Sequence, residues 1–230
     1  MIYGYHWDTS SPLNFAISIL PILLLGLRIT IAATIIGFVI ALVLGLIFAL
    51  LRKSPIKVIA WPVSAFIEFV RGTPLLIQLF FLYFVLPEYG IILPAFWTGV
   101  VALGVQYSAY MSEVYRAGID AIPRGQWEAS AALNLSAWRT YQIIVIPQAI
   151  PRVIPALGNY LVSMMKDTPI LSTITVIEML SLANRIGDRT FEYLIPLSLV
   201  GALFLILTSI CSTALQRIER LVPKDGIYLK

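Results

Sequence analysis

Apolar residues run almost unbroken over 13–51 and return in blocks at 75–86, 95–115, 149–165 and 193–215, while the stretches between them hold most of the charge. An α-helix needs roughly 20 apolar residues to cross a bilayer. The pattern therefore predicts an all-α integral membrane protein with five transmembrane helices. The first block is too long for one simple span at about 1.5 Å of rise per residue, and Pro21, Gly26 and Arg28 within it predict an amphipathic approach segment ahead of the true span. From Ala33 onward, Gly37, Ala41, Gly45 and Ala49 recur at every fourth position. That period puts small residues on one helical face, where another helix can approach closely.

An amphipathic helix over 56–70 precedes the second block and breaks at Arg71-Gly72-Thr73-Pro74. Pro87, Glu88 and Pro94 mark a short external turn. The fourth span is interrupted at Lys166-Asp167-Thr168-Pro169, resumes over 170–182 and leads to an external loop of mixed charge at 184–192. Basic residues gather at alternate ends of the blocks: Arg52, Lys53 and Lys57, then Arg116, Arg124, Arg139 and Arg152, then Arg217, Arg220, Lys224 and Lys230. Positive loops stay in the cytoplasm, which sets the N-terminus outside and the C-terminus inside. An odd number of spans, with no second copy of the 166–169 break, argues against the inverted repeats of an ion-coupled secondary transporter.

Composition narrows the chemistry. Only 12% of the 230 residues are charged and 59% are hydrophobic, about half the charge of a soluble domain. The net charge of +4 follows topology rather than forming a patch, so no nucleic-acid partner is expected. One cysteine, Cys211, and one histidine, His6, leave no disulfide pair, no metal site, no cofactor and no catalytic triad to expect. The phosphate-binding pattern G-x-x-x-x-G-K-[ST] is missing, so ATP-driven transport would need a separate ATPase subunit. No filter-like glycine-rich loop supports a channel. The start, MIYGYHWDTSSP, has no basic region and carries Asp8, which does not read as a cleaved signal peptide.

A polar island at 123–147 sits between two apolar blocks and carries helix signals of its own. Pro123 suits a first turn, Gln126, Glu128, Ala129, Ser130, Ala131 and Ala132 continue it, and Asn134 suits a left-handed end. Ser136 can cap the helix that follows. Glu128, Ala129 and Ser130, then Asn134, then Ile144, Ile146 and Pro147, resemble the EAA loop of bacterial ABC importer permeases, with Ser130 for Ala, Asn134 for Gly and Ile146 for Leu. Asn is the usual second choice to Gly where the backbone turns left-handed.

Three more segments resemble the polar amino acid uptake group of that family. They are Glu68-Phe69-Val70-Arg71-Gly72-Thr73-Pro74-Leu75-Leu76-Ile77-Gln78, the run from Tyr107-Ser108-Ala109-Tyr110 to Glu113-Val114-Tyr115-Arg116-Ala117-Gly118-Ile119, and Pro155-Ala156-Leu157-Gly158-Asn159 with Lys166-Asp167-Thr168. The resemblance implies one permease domain of type I ABC importer fold over 1–230, with a coupling loop at about 118–148. It implies a second permease, as homodimer or heterodimer, two ATP-binding subunits on the cytoplasmic side, an external solute-binding protein, and a bacterial inner membrane location. Gly125, Glu128, Ala129, Ser130, Asn134 and Pro147 are the residues it assigns to ATPase coupling.

Polar groups are costly inside a bilayer and tend to face a partner or an aqueous path. Gln106, Tyr110, Glu113, Asn159, Tyr160, Ser163 and Asp167 are the path candidates, and Tyr160, Ser163 and Asp167 share one helical face. Two readings of Asp167 are open: it binds an ammonium group of the solute, or it is paired with Lys166 or Arg185. Glu113 and Arg116, three apart, are expected to pair with each other. In relatives that take cationic amino acids an acidic residue appears at the position of Tyr160; here a phenol stands there, which suits a polar solute of zero net charge. The Lys-Asp-Thr-Pro run also resembles permeases for ectoine-type compatible solutes, the alternative substrate class.

Overall fold

The computed structural model describes residues 7–221; His6, Lys224 and Lys230 lie outside them. Among the described residues the regular structure is helical, with no strand. Helix α1, Pro12–Arg52, is capped by Ser11, whose hydroxyl accepts from the Asn14 amide at 3.2 Å. The expected division at Pro21 does not occur, and the helix runs on for about 60 Å. Buried Phe15, Ile19, Ile22 and Leu23 pack around the proline turn against Met179, Leu182, Ala183 and Ile186. That packing holds the turn although proline removes one hydrogen bond.

Helix α2, Lys57–Gly72, and helix α3, Leu75–Phe80, meet at a bend of 107°. Thr73 is extended at φ −111 and ψ 142, as a residue before proline must be. The Gln78 amide donates to the Val70 carbonyl and the Thr73 hydroxyl, each at 2.8 Å, closing the break from the far side. A π-helical turn, Phe81–Val85, and a 3₁₀ turn, Leu86–Tyr89, complete the segment.

Helix α4, Ala95–Asp120, is the central post. Its polar Thr98, Gln106, Ser108 and Ser112 are buried along with Leu103, Tyr107 and Met111. It is wrapped by α1, α2, α3 and the helix Ile146–Asp167, so it needs no wholly apolar surface. The predicted small-residue stripe of α1 meets it: Ala33, Gly37, Ala41, Gly45 and Ala49 are all buried. A Cβ added at Gly45 would lie 2.9 Å from Met111 Cβ, and one at Gly104 would lie 2.6 Å from Ile40 Cγ2. A methyl group at either glycine would collide with the opposing helix.

Helix α5, Arg124–Ala132, lies in the third connection. Helix α6, Ala137–Thr140, passes through a π-helical turn, Tyr141–Val145, into α7, Ile146–Asp167. The expected break at 166–169 is softer and later. The chain tightens into a 3₁₀ helix at Thr168–Ile174, turns left-handed at Thr175 (φ 70) and enters α8, Met179–Thr190. The loop expected at 184–192 is mostly helix, because Arg185, Asp188 and Arg189 occupy the exposed side of α8 while Leu182, Ala183 and Ile186 face the core. Helix α9, Leu194–Leu221, closes the chain against α7 and α8.

Two helices, Pro12–Arg52 and Leu194–Arg220, are long and apolar enough to cross a bilayer alone. Two bent pairs meet the same test taken together: Lys57–Gly72 with Leu75–Tyr89, and Ala137–Ile174 with Met179–Thr190.

Candidate functional site

Helix α5 is seated from one side and bare on the other. Trp127 packs edge-on to Tyr141 with ring centroids 5.6 Å apart, over buried Ile119, Ile122, Val145 and Ala149. Ser130 is only 4% exposed, and its hydroxyl donates to the Trp127 carbonyl at 2.7 Å. Of the expected docking residues, Ser130 therefore turns inward. Gly125, Glu128 and Ala129 turn outward, as do Ala132 and Leu133. A Cβ at Gly125 would meet nothing within 4 Å.

The helix ends as its sequence predicts. Asn134 is left-handed at φ 53, its amide donates to the Ala131 carbonyl at 2.9 Å, and the Leu135 amide donates to the Ser130 carbonyl at 3.0 Å. This crossed pair is a Schellman motif. Ser136 then caps α6 by accepting from the Arg139 amide. Gln148 donates to Gln126 at 3.3 Å and Arg152 donates to the Ala121 carbonyl, tying the start of the connection and the first turn of α5 to α7. Leu133 and Trp138, 72% and 70% exposed, leave apolar surface beside the bare face.

Pro147 is exposed, one residue into α7 and directly after the π turn. Its ring would crowd the carbonyl of the residue four before it in a regular α-helix. The wide turn removes that conflict, and the Ile146 amide instead satisfies the Tyr141 carbonyl. The other π turn has the same form, with Leu86 donating to Phe81 and Pro87 next in line.

Gln106, Tyr110, Tyr160 and Asp167 come together around Tyr107, which pattern alone does not single out. Tyr107 donates its phenolic proton to Asp167 Oδ2 at 2.7 Å. Its ring meets Tyr110 and Tyr160 edge-on at 6.2 and 6.0 Å, and those two stack at 5.8 Å with 18° between planes. Gln106 is buried, donates to the Tyr110 hydroxyl at 3.3 Å and leaves its Oε1 without a partner. Asn159 and Ser163 lie on exposed α7 surface, outside this cluster. Neither Lys166 nor Arg185 pairs with Asp167; the phenol takes that place.

Below the cluster lies a charge network that also exceeds the expected pair. Glu113 accepts from Arg116 at 2.6 and 2.9 Å, as expected, and in addition from Arg52 and from Arg71, the latter at 3.3 Å. Glu68 lies 3.6 Å from Arg52 and 3.7 Å from Arg71, while Asp120 joins Lys53 and Arg116. The ends of α1, α2 and α4 are thereby bound together. The Arg71 guanidinium also sits 5.9 Å from the Tyr110 ring centroid, within cation–π range.

Residues 41–219 match the family profile described as binding-protein-dependent transport system inner membrane component. The chain belongs to that family. Its members are membrane transport permeases rather than enzymes, and ATP hydrolysis is the work of a partner subunit. Along its whole length the chain is 57% identical to a probable amino-acid ABC transporter permease of Sinorhizobium fredii, itself covered completely. It is 35% identical to the L-cystine transport system permease of Bacillus subtilis, over 87% of this chain and 86% of that one. Among solved structures, an amino acid ABC transporter crystallised with histidines matches with a TM-score of 0.82 and 38% identity, over 87% of this chain and 94% of that one. The inward-facing methionine transporter MetNI shares the fold at a TM-score of 0.68 and 21% identity, over 86% and 93%. The fold is thus that of a type I ABC importer permease.

Proposed function

We propose that the chain is the permease of an ATP-driven, binding-protein-dependent importer for a polar amino acid or related zwitterion, with α5 as its ATPase dock. One observation carries this reading: α5 is seated through Trp127 against Tyr141, Val145 and Ala149, with Ser130 buried, while its opposite face, Gly125, Glu128 and Ala129, is open. Such a helix can enter a groove on a partner, with Glu128 giving a charge-assisted contact at its rim. Because Gln148, Arg152 and Tyr141 tie it to the fourth span, movement of the dock tilts α7 as a rigid lever.

In this reading the chain spans the inner membrane five times with its C-terminus in the cytoplasm. It pairs with a second permease, two ATPase subunits and an external solute-binding protein. The solute passes Gln106, Tyr160 and Asp167, while Asn159 and Ser163 border the path or the second permease. An amino acid solute follows the designations of the relatives named above, which give no support to the ectoine-type alternative. Ala129→Arg tests the dock. The expected result is an inserted chain that no longer retains the ATPase on purification or no longer supports uptake; normal retention with normal uptake removes the assignment.

A further inference from the structure

We propose that Arg71 is a specificity-determining residue of the solute path, the cationic counterpart of Asp167, and that it takes the carboxylate of the passing solute in place of Glu113. The inference rests on the solute path proposed above and adds to it the feature that selects a zwitterion.

Charge balance singles out Arg71 first. The network at the ends of α1, α2 and α4 holds four cations, Arg52, Lys53, Arg71 and Arg116, against three carboxylates, Glu68, Glu113 and Asp120. Arg71 has the weakest share. Its contact with Glu113, at 3.3 Å, is to the oxygen that Arg52 already occupies more closely, and the other oxygen is held by Arg116 at 2.6 Å. Its second partner, Glu68, lies 3.7 Å away and its side chain is 60% exposed. A guanidinium is a fork built for two parallel bonds to one carboxylate, and Arg71 has no such partner among these contacts.

Position is the second argument. Arg71 is the network's contact with the aromatic cluster, lying over Tyr110, which stacks on Tyr160 and meets Tyr107, the donor to Asp167. The cluster thus has a carboxylate at one end, a guanidinium at the other and three rings between. Buried Gln106 Oε1, with no partner, is a free acceptor along the same wall. A solute bearing one ammonium and one carboxylate meets an opposite charge at each end, whereas a solute with a cation in place of the carboxylate, such as a diamine, meets Arg71 as a repulsion. Arg71 also sits at the bend between α2 and α3, so movement of that bend carries it toward or away from the rings.

The test uses the purified permease–ATPase complex in nanodiscs. Binding of glutamine, asparagine and methionine is compared with binding of their carboxyl-amidated forms by saturation-transfer NMR. At least one acid is expected to bind about tenfold more tightly than its amide, a preference that Arg71→Gln abolishes and Arg71→Lys keeps in part. Glu113→Gln removes the competing carboxylate and is expected to tighten binding of the acid severalfold, which keeps the proposal testable if Arg71→Gln fails to fold. A merely structural Arg71 lowers thermal stability and leaves the acid-over-amide ratio unmoved. An unmoved ratio in Arg71→Gln, or no preference in the wild type, overturns the proposal while leaving the importer reading in place. A complex that purifies without any ATPase counts against the importer reading instead.

Discussion

Tyr107 and Asp167, 60 positions apart in the chain, are joined by a 2.7 Å hydrogen bond from phenol to carboxylate. The bond links the central post α4 to the end of α7, at the point where the helix tightens into its 3₁₀ turn. Asp167 is itself exposed on α7; if it holds the solute's ammonium group, Asp167→Asn removes the opposite charge from that contact. In vesicles with saturating binding protein, we expect uptake to fall far more than basal ATP hydrolysis. Tyr107→Phe leaves the charge and removes one charge-assisted bond, and its effect on uptake is expected to be smaller, about 1.5–3 kcal/mol. Equal losses of uptake and hydrolysis with a lower melting temperature would assign Asp167 to holding the helix end.

Asn134 provides a test of how the dock is held. Its left-handed backbone closes both capping bonds of α5. Asn134→Gly is expected to preserve ATPase retention and thermal stability, since glycine adopts this conformation without steric cost. A β-branched residue is strained there, and Asn134→Val is expected to cost about 1–2 kcal/mol and to loosen the ATPase. Unchanged melting and retention in Asn134→Val would mean that the end of α5 does not set the docking geometry.

The proposed topology makes a separate demand. A reporter active only outside the cytoplasm should work when fused after Glu88 or Phe191 and stay silent after Gln126 or Lys230. Activity at Gln126 would place the α5 connection outside and end the five-span arrangement.

How much was legible in the sequence depended on whether the signal was local. The stripe from Ala33 to Ala49, the bend at Thr73-Pro74, the left-handed Asn134 and the Ser136 cap each follow from a few neighbouring residues, and each is found where expected. Pairings between helices were another matter. Tyr107 with Asp167, and Arg71 with Tyr110, depend on how α2, α4 and α7 are rotated about their axes, which no single segment encodes. Small residues around α5 give no periodicity that orients Ser130; Trp127, the only aromatic residue in that helix, is the sequence clue to its buried side. The loop expected at 184–192 is helix instead because its charges, Arg185, Asp188 and Arg189, recur at helical spacing on one exposed face.

The π turn at Tyr141–Val145 has a consequence for how this permease can change over time. A wide turn absorbs one extra residue without breaking the helix, and one residue of α-helix corresponds to a rotation of about 100°. Loss of one residue within the turn would restore regular winding and leave the flanking helices near their present phase, whereas a residue gained or lost outside it would swing the anchored loop by about 100° around α7. The bare side of α5 would then face the bilayer or its own protein instead of a partner. Outside the π turn, the spacing between Trp127 and Pro147 is therefore a gear setting: side chains along it can drift, but its length is fixed by the angle at which two molecular parts must mesh.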